Sequence, residues 1–371
     1  MFLPVLNYLS RMNSRFLFLV ACFILLTVFA CAQTITKIKS AGVVFHFGSY
    51  LGESTRANHM RDSYSSFATL TYEQQFENEH GKPIHQKGSW GMALMHGNSG
   101  SRRYMGTVTA AFSYVYLPLF SSQQFSSKIR MGGGLSYLQK PFRVNTNQQN
   151  VYIGSHINTF TSFEWQNQIK VCKSFALYAG IHFIHFSNGA VKLPNKGVNI
   201  PAVTLGAKYM YQSSPAVISK YSLLHEQKKS LSFFLSGAVK QAPEVSGPYF
   251  IIPIGSVEFA GRTHQNGYWC AGLVASYDGS RKLKSVFTGE NIYQEGSLQT
   301  GVYTGYEFSF GKLSVPLQLG VYLHNASPTS ALFQQLGVRY KVSRKMRLQL
   351  LMKTHTKIAE YLSAGIGWST N

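Results

Sequence analysis

The sequence predicts an all-β protein, an antiparallel transmembrane β-barrel of about sixteen strands, and three observations carry that prediction. Charged residues make up 13% of the 371 residues, aromatics reach 14% and there are 33 glycines, whereas soluble domains carry about 25% charged residues. Apolar and polar residues alternate through segments mostly of 9 to 15 residues separated by turn chemistry, the period of a strand whose two faces meet different environments. An export signal opens the chain, and no later apolar run approaches the ~20 residues of a membrane-spanning helix.

The signal comes first. Arg11 and Arg15 precede an apolar run from Phe16 to Ala30, which ends in Ala30-Cys31-Ala32 before Gln33. A basic region, an apolar stretch and a small-x-small exit describe a cleavable secretory peptide over residues 1–32, with Met12 as an alternative start. A retained anchor and lipoprotein processing at Cys31 are the rival readings. Phe29 before Ala30 fits poorly with the small residues that lipoprotein processing prefers. Losing Arg11 and Arg15 takes the formal charge from +21 to +19. Export argues against nucleic acid as the partner of so basic a chain, and an anionic membrane surface is the expected one. Cys172, in an expected turn, and Cys270, in mid-strand, remain after cleavage, and a disulfide between them is not favoured.

Strands are expected near 42–50, 66–77, 89–97, 105–117, 127–138, 156–170, 174–187 and 199–211. After a polar stretch from Ser213 to Lys229, they resume near 230–239, 249–260, 267–277, 299–310, 312–323, 331–342, 345–354 and 359–369. Residues 33–211 thus form one half and 212–371 a second half of unknown role. A single sixteen-stranded barrel is favoured, because the 213–229 connector reads as a turn. Two eight-stranded barrels are the alternative. Connectors after odd strands are mostly long and those after even strands mostly shorter, so odd strands run outward across an outer membrane.

The seventh segment shows the alternation best. Phe175, Leu177, Ala179, Ile181 and Phe183 share one face, expected to meet lipid, while Ser174, Ala176, Tyr178, Gly180 and His182 share the other. Ile157, Phe163, Trp165 and Ile169 likewise oppose Asn158, Glu164, Gln166 and Lys170, and Met346, Leu348, Leu350 and Met352 oppose Arg347, Gln349 and Lys353.

His185 and Ser187 continue the lipid-facing stripe at the outer end of the seventh segment. Residues at i and i+2 share a face, as a base and its nucleophile require, although two polar residues there also suit a plain interface. Asn199 has the parity to point the same way from the next strand. Asn188 and the backbone of Gly189 and Ala190 are the expected oxyanion donors. His355 and Glu360 flank a short turn, but His355 shares parity with Arg347, Gln349 and Lys353 and is expected to line the lumen, as are His156 and His182. Met131-Gly132-Gly133-Gly134 is strand and not a phosphate loop, since no helix follows. Trp165, Trp269 and Trp368 are read as interface or lipid-face residues.

His185-Phe186-Ser187-Asn188, followed by Pro194-Asn195-Lys196-Gly197, resembles the active-site segment of the PagL-type lipid A 3-O-deacylases. The close likeness covers about 15 residues, with a weaker one in strand layout over 42–211, and 212–371 lies outside it because the family's compact members are eight-stranded. The resemblance implies an outer-membrane serine esterase that removes an ester-linked acyl chain from lipid A of the outer leaflet. Ser187 would be the nucleophile, His185 the base and Asn188 an oxyanion donor, with no metal or nucleotide. The family places Glu where Asn199 stands. A porin-like or structural barrel and a lipopolysaccharide-binding relative without activity are the alternatives.

Overall fold

The computed structural model describes residues 38–51, 59–75, 88–212, 229–242, 247–264, 267–281, 297–310, 312–325, 331–355 and 358–370. The expected signal peptide and the 213–228 connector lie outside them. Two compact units are present, residues 1–187 with 197–218 and residues 188–196 with 219–371.

The first unit is a closed barrel of β1 (Ile38–Gly48), β2 (Ser65–Gln75), β3 (Ser89–Asn98), β4 (Thr107–Ser121), β5 (Phe125–Leu138), β6 (Ile157–Lys170), β7 (Phe175–Ser187) and β8 (Val198–Gln212). Every pairing is antiparallel, and β1 closes on β8 from Ile38 opposite Gln212 to Gly48 opposite Ala202. The second is a closed barrel of β9 (Lys229–Gln241), β10 (Tyr249–His264), β11 (Gly267–Tyr277), β12 (Leu298–Phe310), β13 (Leu313–Asn325), β14 (Leu332–Lys341), β15 (Met346–His355) and β16 (Ile358–Ser369), in which β16 closes on β9. Among the described residues no helix is long and apolar enough to cross a membrane.

All sixteen expected strands are present, so the all-β antiparallel barrel stands. The closure does not: the chain forms two eight-stranded barrels, the alternative, instead of one of sixteen. The side chains inside explain why. Eight strands enclose a space that side chains just fill, whereas sixteen enclose an aqueous channel. The inner faces here carry bulky aromatics and charge pairs that fill the smaller space.

In the first barrel Phe112 stacks on Phe160 at 4.5 Å between ring centres, within an apolar cluster that includes Phe67, Met95, Leu138 and Phe186. Beside it Arg130 Nη2 lies 2.8 Å from Glu164 Oε2, both side chains fully buried. A guanidinium only donates, so Arg130 Nη2, 3.3 Å from His182 Nε2, makes that nitrogen an acceptor. His182 Nδ1–H then donates to His46 Nδ1 at 3.0 Å, and His46 Nε2–H donates to Thr69 Oγ1 at 2.8 Å. The second barrel repeats the device with other residues. Arg339 Nη1 lies 2.6 Å from Glu258 Oε1 and 2.6 Å from Glu307 Oε2. Further along, Lys353, Arg281 and His355 surround Glu360.

The outward faces are the reverse. Ile181 is 60% exposed, Leu235 65% and Ile251 76%, with Phe45, Leu70, Trp165, Leu205, Leu273 and Trp368 alongside them on the outer surfaces. Apolar surface this continuous is not left in water, and it fits burial in lipid, where a closed barrel leaves no backbone group unpaired. His355 and His182 lie on the lumen side, as expected from parity, with Glu360 beside His355, whereas His156 sits in the bend before β6, bonded to Arg143 and to Leu138 O instead of lining the lumen. Cys172 is an exposed and Cys270 a buried free thiol.

Candidate active site

Antiparallel pairing sets the geometry at the outer end of β7. His185 and Ser187 are two residues apart on one strand and so point the same way. Asn199 lies directly opposite His185 across the β7–β8 ladder, where opposed side chains start only about 5 Å apart. The three meet in a row. Ser187 Oγ is 3.1 Å from His185 Nε2, and His185 Nδ1 is 2.7 Å from Asn199 Oδ1. With Nδ1–H donating to the amide oxygen, Nε2 is the acceptor for the serine hydroxyl proton. The neighbouring strands hold the ends of this row: Thr159 Oγ1 donates to Ser187 O at 2.7 Å, and Leu51 N donates to Asn199 O at 2.8 Å.

The site is more enclosed than its parity alone suggests. Ser187 is only 2% exposed and His185 is half-buried, although both were expected to face lipid openly. Gly197 accounts for part of the enclosure. Its φ of +73° turns the chain back beside the pair, and a Cβ there would stand 2.7 Å from His185 Cε1 and 3.4 Å from Ser187 Cβ.

Of the three expected oxyanion donors, Asn188 is committed elsewhere. Its N–H donates to Asn195 Oδ1 at 2.9 Å, its Nδ2 donates to Lys192 O at 2.7 Å, and its Oδ1 accepts from Lys192 N at 3.3 Å. It holds the 188–196 loop in shape. Gly189 and Ala190 both have φ of +63°. That conformation is ordinary for Gly and uncommon for Ala, so Ala190 adopts it because the loop requires it. Sequence reasoning missed Asn195, whose Oδ1 fixes the Asn188 amide while its buried Nδ2 has no hydrogen-bond partner among the described residues. Native proteins rarely leave such a donor unpaired. Its sequence signal was the Pro194-Asn195 pair, which reads equally well as plain turn chemistry.

Residues 67–208 match the family model described as lipid A 3-O-deacylase (PagL), and residues 229–371 match the model described as acyloxyacyl hydrolase, C-terminal domain. The two matches run from within β2 to within β8, and from β9 through β16. This chain belongs to the PagL-type lipid A 3-O-deacylase family.

The second match thus takes in the half that the sequence likeness had left outside the family. No curated protein matches the chain. Among solved structures, the outer-membrane enzyme PagL is 15% identical, covering 44% of this chain and 97% of its own, with a TM-score of 0.32. Omp33 of Acinetobacter baumannii is 6% identical over 91% of this chain and 98% of its own, with a TM-score of 0.18. A mutant Rh. blastica porin is 9% identical over 91% and 100%, also at 0.18. Likeness at these scores carries no weight for either fold or function.

Proposed function

We propose that the chain is a serine esterase of the outer membrane that hydrolyses an ester-linked acyl chain of lipid A in the outer leaflet. The observation that carries this reading is the row Ser187–His185–Asn199, at 3.1 and 2.7 Å, on the outer end of a strand whose face is otherwise apolar. Family membership supports the substrate class, and the apolar outer faces support the location.

In this mechanism Ser187 Oγ attacks the ester carbonyl carbon while His185 Nε2 takes the hydroxyl proton. The tetrahedral oxyanion collapses, the acyl–oxygen bond to the sugar breaks, and His185 returns the proton to the departing sugar oxygen. Water then attacks the acyl-serine, again losing a proton to His185, and the freed Ser187 Oγ recovers it. Asn199 orients the imidazole without adding charge, the part Asn takes in Cys-His-Asn hydrolases.

The test is mass spectrometry of lipid A from membranes expressing wild type, Ser187→Ala and His185→Ala. Loss of one acyl mass with wild type alone is expected. Unchanged lipid A in all three, with the protein folded in the outer membrane, would sink the esterase reading.

A further inference from the structure

The mouth of the first barrel opposite the His185–Ser187 end holds a cavity of about 80 Å³, lined by residues that include Glu73, Ser89, Ser121, Lys128, Lys170 and Lys208. Among the described residues its charges do not balance. Glu73 is the only acidic group among the lining residues, and it serves two ammonium groups: Lys208 Nζ is 2.8 Å from Oε2 and Lys128 Nζ is 3.8 Å from Oε1. Ser89 Oγ donates to the same Oε1 at 2.6 Å. Lys170 adds a third, exposed cation at the rim.

Both inner lysines are shielded from solvent, Lys208 at 6% and Lys128 at 15% side-chain exposure, so bulk salt screens them poorly. Their undersides are already used, since each ammonium lies 5.4 Å from the centre of the Tyr116 ring. One further group lining the cavity that can donate lacks a partner among the described residues, the Ser121 hydroxyl. Three cations sharing one carboxylate, beside an unpaired hydroxyl able to donate, describe a site that lacks its anion.

We propose that this mouth binds a phosphate-class oxyanion, held by Lys128, Lys170 and Lys208, with the Ser121 hydroxyl as a neutral donor. The binding is independent of acyl transfer at the other end of the barrel. Inorganic phosphate and the phosphodiester of a lipid headgroup share this chemistry. The turn-side rim of an outer-membrane barrel, which faces the periplasm, could meet either.

The experiment measures thermal unfolding of the full-length protein, refolded in neutral detergent, against inorganic phosphate at constant ionic strength set with chloride. A second arm measures the same protein in neutral bilayers doped with phosphatidylglycerol. Expected is a saturable rise in Tm with phosphate, weakened at least tenfold in apparent affinity by Lys128→Gln and also by the rim variant Lys170→Gln. Glu73→Gln should act in the opposite sense. It removes the competing carboxylate, so its Tm starts lower and phosphate raises it further than in wild type. A rise only in the doped bilayers would assign the site to a lipid headgroup, and a rise with free phosphate to a soluble ion. No saturable rise in either arm overturns the proposal. So does a rise that Lys128→Gln and Lys170→Gln leave unchanged, because the anion would then sit elsewhere.

Discussion

His185 and Asn199 face each other across the β7–β8 ladder, with the imidazole Nδ1 2.7 Å from the amide Oδ1. A neutral acceptor in this position fixes the tautomer that turns Nε2 into the acceptor for Ser187, but it does little to stabilise the imidazolium that forms when the serine proton moves.

Replacing the acceptor therefore separates orientation from charge. Asn199→Ala removes one hydrogen bond of about 1–3 kcal/mol, and deacylation should fall by about 10- to 100-fold at about 1.4 kcal/mol per decade. Asn199→Glu keeps the acceptor and adds charge, so deacylation should rise above wild type. Rates of acyl release from purified lipid A measure both. A Glu variant slower than wild type would mean that the imidazolium is not what limits the reaction.

Gly197 acts through His185. A methyl at 197 must either displace the ring, whose Cε1 would be 2.7 Å away, or abandon φ of +73°. Gly197→Ala is expected to cost about 1–3 kcal/mol in backbone strain and a larger share of activity, because a displaced base no longer meets Ser187. Tm and deacylation rate are measured on the same preparation. Full activity alongside a lowered Tm would show that the close approach has no bearing on the chemistry.

The strands were legible because an alternating pattern needs no tertiary knowledge: Leu177, Ile181 and Phe183 name their face by parity alone. Closure was not legible. Whether β1 meets β8 or β16 depends on how much volume the inner side chains occupy, and Phe112, Phe160, Arg130 and Glu164 read along a strand only as "inner". The meeting of His185, Ser187 and Asn199 followed from the same parity. The burial of Ser187 and the bracing role of Asn188 did not, since both depend on how the 188–197 segment turns through Gly189, Ala190 and Gly197. Asn195 stayed hidden for the same reason, a turn residue until its Nδ2 is seen without a partner.

Acid should weaken the connector between β1 and β2. Burial pushes the Asp62 carboxyl upward, but N–H donors from Arg103 at 2.7 Å and Arg102 at 2.9 Å, the Ser63 hydroxyl and the charge of Arg102 outweigh it, leaving the group below its ordinary 3.8. A carboxylate depressed on folding stabilises fully above its unfolded value, and that contribution is lost as pH falls through the folded one. The Tm gap between wild type and Asp62→Asn should be constant from neutral pH to about pH 5 and then close. A gap that widens in acid would contradict the depressed value.

The filled interiors make a last prediction that also bears on the porin alternative. Arg339 stands between Glu258 and Glu307 at 2.6 Å from each, and only 2% of its side chain is exposed. Arg339→Ala strands two carboxylates in a space with little water, a loss expected to cost about 3–5 kcal/mol. In the first barrel, Arg130→Met with Glu164→Gln removes both charges of a fully buried pair together and should be close to neutral, because desolvation offsets most of what such a pair gains. Urea unfolding of the refolded proteins reads both. Buried aromatics and charge pairs crowd both interiors, so planar bilayers carrying wild type should show no steady ohmic conductance, and Arg339→Ala should become leaky as its barrel loosens. Open-channel currents in wild type, unchanged by Arg339→Ala, would mean that these side chains do not plug the barrel, and a porin-like role would then explain the chain better than hydrolysis does.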